Sequence, residues 1–153
     1  MICLKTISVV VLSVSLVCLN CFSAKAEQKY LGQLSSNKYS NNSTSNQYGS
    51  YGSSYSSKSI NNPNGQYGSQ YSNKSANNPY ATNAPKIYDN QGNYRGKVSS
   101  NRYDPDSTSN PYGQYGSKYS SKSVNNPYGA GSKYRSDSSN NPYGSGMTIV
   151  GDD

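Results

Sequence analysis

Tyrosine is the residue type here with the numbers and spacing to do something chemical. The 153-residue chain holds 17 tyrosines, one phenylalanine and no tryptophan, and every tyrosine lies after Ala26. There is no histidine, and the three cysteines are Cys3, Cys18 and Cys21. Beyond Ala26 the chain therefore lacks the commonest general base, the thiol nucleophile and the soft metal ligands. The acids are Glu27, Asp89, Asp104, Asp106, Asp137, Asp152 and Asp153. Only Asp104 and Asp106 form a close internal pair, and capping of a turn explains them better than glycoside hydrolysis. The same segment begins like an oxygen-ligand loop for calcium. An EF-hand counted from Asp104 would need Gly and Glu where Ser109 and Tyr115 stand, so that match fails. The expectation is a non-enzymatic chain with no cofactor and no metal.

A tyrosine ring flanked by Gly and Ser can stack on sugars or bases. Tyr51, Tyr67, Tyr115, Tyr128 and Tyr143 are the candidate polymer-contact residues. The competing expectation is that the repeated tyrosines form the core, with Tyr67 and Tyr71 inside it. Only eight large aliphatic side chains follow Ala26: Leu31, Leu34, Ile60, Ile87, Val98, Val124, Ile149 and Val150. The residues after Ala26 carry a net charge of +5 with no basic run. That disfavours nucleic acid as the partner and leaves an envelope polysaccharide or another surface protein.

These tyrosines recur. Those preceding a short polar, mostly serine-rich stretch are Tyr39, Tyr55, Tyr71, Tyr103, Tyr119 and Tyr134, spaced by 16, 16, 32, 16 and 15 residues. The working unit is Tyr-Gly-Ser-x-Tyr-Ser-x-(Lys/Asp)-Ser-x-Asn-Asn-Pro-Tyr-Gly, as in "YGSQYSNKSANNPYA" from Tyr67. A longer period overlies the short one. "YLGQLSSNKYSNNSTSNQYG" from Tyr30 returns as "YRGKVSSNRYDPDSTSNPYG" from Tyr94, an offset of 64 residues. The expected organisation is residues 27–93 and 94–153 as two modules of three units each.

Residues 1–26 read as a secretory signal peptide. Lys5 supplies the positive region, Ile7 to Leu19 the apolar run and Ala24-Lys25-Ala26 the cleavage pattern. A run of thirteen residues is too short to span a bilayer. The expected location is the periplasm or the extracellular space, with no membrane span after cleavage.

Short strands are expected at Tyr30–Leu34 and Met147–Val150. A hairpin is expected from Lys86–Asp89 through Asn90-Gln91-Gly92 to Asn93–Val98. Ser56–Asn62 and Asp104–Asn110 read as single helical turns ended by Asn-Pro. Ile60, Ala76 and Val124 share one unit position and should face inward, with burial fading at Ser139. Gly49, Gly52, Gly68, Gly113, Gly116, Gly129 and Gly144 flank tyrosines, where positive φ or close backbone approach is expected. The fold class is thus an irregular, turn-rich small β protein, with short hairpin strands and single helical turns in tandem modules. The alternative is a largely disordered low-complexity chain.

The chain resembles a class of exported bacterial repeat proteins with no known function. The likeness rests on Tyr30-x-Gly32-x-Leu34, the Tyr-Gly-Ser-x-Tyr-Ser units and Ile87-Tyr88-Asp89-x-x-Gly92-Asn93-Tyr94, covering Tyr30 to about Gly144. The class often carries Pro-Asp in its turns, which survives here only as Pro105-Asp106. The resemblance implies export but no activity. The functional expectation is a structural or surface-interaction protein, with glycan or other polymer binding as the alternative.

Overall fold

The computed structural model describes residues 27–153. The expected signal peptide, residues 1–26, lies outside them. The described residues are mostly non-helical and build a small open antiparallel sheet. Its strands are β1 (Gln28–Leu34), β2 (Lys86–Tyr88), β3 (Tyr94–Lys97) and β4 (Met147–Asp152), in the order β1-β4-β2-β3. The expected hairpin is β2–β3, with Gly92 at φ 81° in its turn. β4 pairs with β1 on one side and with β2 on the other, where Ile87 opposes Ile149. One sheet therefore takes strands from the first and last residues described and from the middle of the chain.

The edge strands share a device. The pairing of β1 slips between Tyr30 and Gln33, and Gly32 there has φ 92°; Gly96 in β3 has φ 95°. Only glycine tolerates this backbone readily, and each glycine also lies under a ring, Tyr51 on Gly32 and Tyr115 on Gly96. The rings meet tyrosines of the strands edge to face, Tyr30–Tyr51 at 5.2 Å and Tyr94–Tyr115 at 5.4 Å. Gln33 and Lys97 then bridge to Ser43 and Ser107, where the turn-rich segments begin.

Those segments contain no helical residue, which corrects the expected helical turns. They are runs of three-residue turns. Ser59 N–H donates to Ser56 O, Asn62 to Ser59, Gly65 to Asn62 and Gly68 to Gly65, at 3.1–3.4 Å. The same run occurs from Asp104 to Gly116. Side chains explain why no helix forms. Ser59 Oγ accepts the Asn61 N–H and Asn62 Oδ1 accepts the Asn64 N–H, each at 3.0 Å. These local bonds capture backbone donors that a helix would need. Each inner Ser or Asn thus takes one N–H on its side chain and the next on its carbonyl.

The interior of these segments is polar. Ser43, Ser59, Ser75, Ser107, Ser123 and Ser138 are fully buried, and Asn46, Asn62, Asn78, Asn110 and Asn126 nearly so. A second asparagine joins neighbouring units: Asn77 Nδ2 donates to Ile60 O and Gly68 O, both at 3.0 Å. Asn61, Asn125 and Asn140 make the matching pairs of bonds. Burial of polar groups is tolerable because these donors and acceptors are paired.

The apolar core lies between this layer and the sheet. One cluster is Leu31, Ile60, Tyr67, Ala76 and Ile149, the other Ile87, Val124, Ala130 and Met147; Leu34 and Val98 pack against both. Ile60, Ala76 and Val124 are buried, and Ser139 is half-buried. Among the described residues positive φ occurs only at Gly32, Gly92, Gly96 and Gly146, so the turn glycines serve close approach instead. A Cβ on Gly68 would stand 2.2 Å from Asn62 O. Gly68→Ala is expected to lower stability by about 3 kcal/mol through overpacking. Gly92→Ala, with open space but positive φ, should cost about 1–2 kcal/mol. Urea unfolding midpoints of the two variants check this order.

Candidate functional site

The tyrosines are mostly on the outside. Eleven of them, Tyr39, Tyr48, Tyr55, Tyr71, Tyr80, Tyr103, Tyr112, Tyr119, Tyr128, Tyr134 and Tyr143, are 84–96% exposed. This overturns the expectation of a tyrosine core, and Tyr71 in particular is solvent-facing. Single exposed aromatics are ordinary, but eleven in register are not scattered.

Each of the eleven is held in place at its backbone. The residue two before it, always Asn or Ser, accepts the tyrosine N–H on its side-chain oxygen. Asn does so at Tyr39, Tyr48, Tyr80, Tyr103, Tyr112, Tyr128 and Tyr143, at 2.9–3.0 Å. Ser does so at Tyr55, Tyr71, Tyr119 and Tyr134, at 3.1–3.3 Å. Five of these Asn acceptors, Asn46, Asn78, Asn110, Asn126 and Asn141, also donate their amide to a carbonyl six residues earlier. At these five the amide bonds therefore tie the backbone under an exposed ring to the turn before it.

Ten of these tyrosines form pairs nine residues apart, and Asn64 takes the place of a partner for Tyr55. Clefts open between paired rings. Lys38, Tyr39 and Tyr48 line one of about 400 Å³, and Arg102, Tyr103 and Tyr112 line one of about 420 Å³. Every residue of the second lies 64 positions after its counterpart in the first. Beside the second runs a larger groove of about 910 Å³, shared by Arg102, Tyr112, Lys118 and Tyr119.

Charge is partitioned as well. The ion pairs among the described residues are Lys29–Asp153, Arg95–Asp89, Lys97–Asp104 and Arg135–Asp137. Asp106 accepts the Tyr94 hydroxyl at 3.2 Å, and burial together with that carboxylate pushes the Tyr94 pKa up. The Asp104/Asp106 pair is thus engaged with the sheet edge, and Asp104 Oδ1 caps the Asp106 N–H. Lys38, Arg102, Lys118 and Lys133 instead precede exposed tyrosines and are exposed themselves. Lys133 Nζ sits 5.3 Å from the Tyr134 ring centre, within cation–π range.

The candidate residues divide. Tyr128 and Tyr143 are 96% and 94% exposed. Tyr67 is fully buried and Tyr115 is 7% exposed, so neither presents a ring to a polymer. Tyr51 is half-buried against Tyr30. Burial pushes the Tyr67 pKa up, with Asp153 and Asp152 adding to the rise. Sequence reasoning missed Tyr39, Tyr48, Tyr103, Tyr112 and Tyr119 and the cations beside them. The signal was the Asn or Ser two residues before each. Among the described residues no three His, Cys, Asp or Glu side chains cluster as metal ligands do. No helix among them is long and apolar enough to cross a membrane.

Comparison with protein-family models, with characterised proteins and with solved structures finds no match.

Proposed function

We propose that this chain is an exported, non-enzymatic repeat protein whose role is surface interaction, made through contact with an extended polymer. Its two halves, 27–93 and 94–153, act as tandem modules of three units. The leader-like residues 1–26 and the resemblance to exported repeat proteins support export. One observation carries the polymer reading: eleven exposed tyrosines, each pinned by a side-chain bond to its own N–H. A purely structural chain needs no such rings in water, because exposing them forfeits the burial that stabilises a fold. Backbone already ordered at each ring leaves only the side-chain torsions to be fixed on binding, which trims the entropic cost.

The test is co-sedimentation of the exported chain with purified peptidoglycan and with insoluble polysaccharide, over a range of salt. Retention on at least one polymer, reduced when paired tyrosines become alanine, is the expected result. No retention at any salt would sink this function.

A further inference from the structure

We propose that the polymer is an anionic glycan, gripped by the groove of Arg102, Tyr112, Lys118 and Tyr119 and by the related cleft at Lys38, Tyr39 and Tyr48. The inference rests on the polymer-contact reading above and names the ligand class. Three observations carry it. The first is charge. Four of the seven acids are tied up in ion pairs, whereas Lys38, Arg102 and Lys118 belong to none among the described residues and line the clefts. Such cations attract carboxylates or sulfates.

The second is ring geometry. Tyr103 and Tyr112 line one opening, and Tyr112 and Tyr119 line the next. Tyrosine faces carry negative quadrupole potential, which suits the positive C–H faces of pyranose rings. The third is the rest of the lining, where Thr108, Ser109 and Asn125 meet the larger groove and offer hydroxyl and amide partners for sugar hydroxyls. A nucleic-acid strand brings one phosphate per nucleotide and demands a denser cationic track. Two cations beside three rings, in a neighbourhood of hydroxyls and amides, fit a sugar chain with intermittent charge. The related cleft 64 residues earlier supplies a second contact, so one linear chain engaging both would gain avidity.

The experiment compares polygalacturonate with its fully methyl-esterified form, which keeps the rings and masks the charge. Affinity electrophoresis of the exported chain is run with each, and with a single-stranded oligodeoxythymidylate. The expected result is retardation by polygalacturonate that weakens with added salt and is lost on esterification. Arg102→Glu with Lys118→Glu should weaken it about tenfold, since two exposed attractions become repulsions. Tyr112→Ala with Tyr119→Ala should weaken it by a similar factor. All four residues are exposed, and unchanged urea midpoints would show that the variants still fold. The salt dependence of the unaltered chain tests the charge argument independently of any variant.

Equal retardation by the esterified polymer overturns the anionic assignment and leaves polymer contact standing. Tighter binding to the oligonucleotide, lost in the same variants, overturns the glycan assignment in favour of nucleic acid. No retardation here together with no retention on peptidoglycan or polysaccharide removes the polymer reading itself.

Discussion

Tyr67→Ala will lower the unfolding free energy by about 3–5 kcal/mol, whereas Tyr71→Ala, four residues on, will leave it within about 0.5 kcal/mol. The two residues are the same type in the same unit, yet Tyr67 is fully buried and Tyr71 is 91% exposed. Tyr67 packs in the cluster of Leu31, Ile60, Ala76 and Ile149. Its ring lies so near Gly151 that a Cβ there would be 2.8 Å from Cε1. Its hydroxyl donates to Asp152 O at 3.2 Å, so the ring joins the first turn-rich segment to β4. Tyr67→Phe separates the two contributions, keeping the packing and removing a bond worth about 1 kcal/mol. A small domain with total stability of about 5–15 kcal/mol will show the alanine variant as a large drop in urea midpoint. Equal losses for Tyr67→Ala and Tyr71→Ala would mean that the exposed rings carry stability too, contrary to a division between core and surface tyrosines.

That division was only partly legible in the sequence. The hairpin could be read because Ile87-Tyr88 and Tyr94 flank Asn90-Gln91-Gly92, and its turn uses Gly92 at positive φ. The inward positions of Ile60, Ala76 and Val124 followed from register alone. The tyrosines misled because eight large aliphatics after Ala26 are too few to fill a core without aromatic rings, if the core is to be apolar throughout. It fills that space instead with serines and asparagines whose polar atoms are paired, so the rings are free to face water. The sequence carried this as a three-residue period: Ser59, Asn62, Gly65 and Gly68 recur as Ser107, Asn110, Gly113 and Gly116. Reading that run as a helical turn followed from the Ser or Asp at its start. What overrode it was the side-chain oxygen of each Ser and Asn in the run, which takes the intervening N–H. The pairing of β4 with β1 joins residues more than a hundred positions apart, and no local pattern announces it.

The same network links the fold to the surface it presents. Asn110 Nδ2 donates to Asp104 O while Asn110 Oδ1 accepts the N–H of Tyr112. One buried side chain thus closes a turn and fixes the backbone that carries the Tyr112 ring into the proposed groove. Selection for packing and selection for ring position would act on one residue here. Loss of the amide should therefore disturb binding and stability together, whereas loss of the ring should disturb binding alone.

The other large effect is at the hairpin. Asp89→Asn is expected to lower stability at neutral pH by about 3–5 kcal/mol, the range for breaking one side of a buried ion pair. The Asp89 side chain is fully buried and Arg95 is half-buried beside it, with 3.0 Å between Arg95 NH2 and Asp89 Oδ2. The carboxylate also accepts from the backbone of Gln91 and Asn93 and from the Asn93 amide. An asparagine could keep the backbone bonds, but its amide would face the donors of Asn93 and Arg95. Burial by itself would raise the Asp89 pKa; the bonds from Asn93, Arg95 and Gln91 outweigh it and hold the group below the ordinary carboxylate value. A depressed folded pKa means that the unfolded chain takes up the proton first as pH falls. The contribution of Asp89 is then complete above the unfolded value of about 3.9 and is lost as pH drops through the folded one. Urea unfolding from pH 7 down to pH 2 should show the native chain losing stability below about pH 4, with the Asp89→Asn curve flatter over that span. Parallel curves for the two proteins would show that the acid limb belongs to other carboxylates and that the hairpin lock is weaker than its five hydrogen bonds imply.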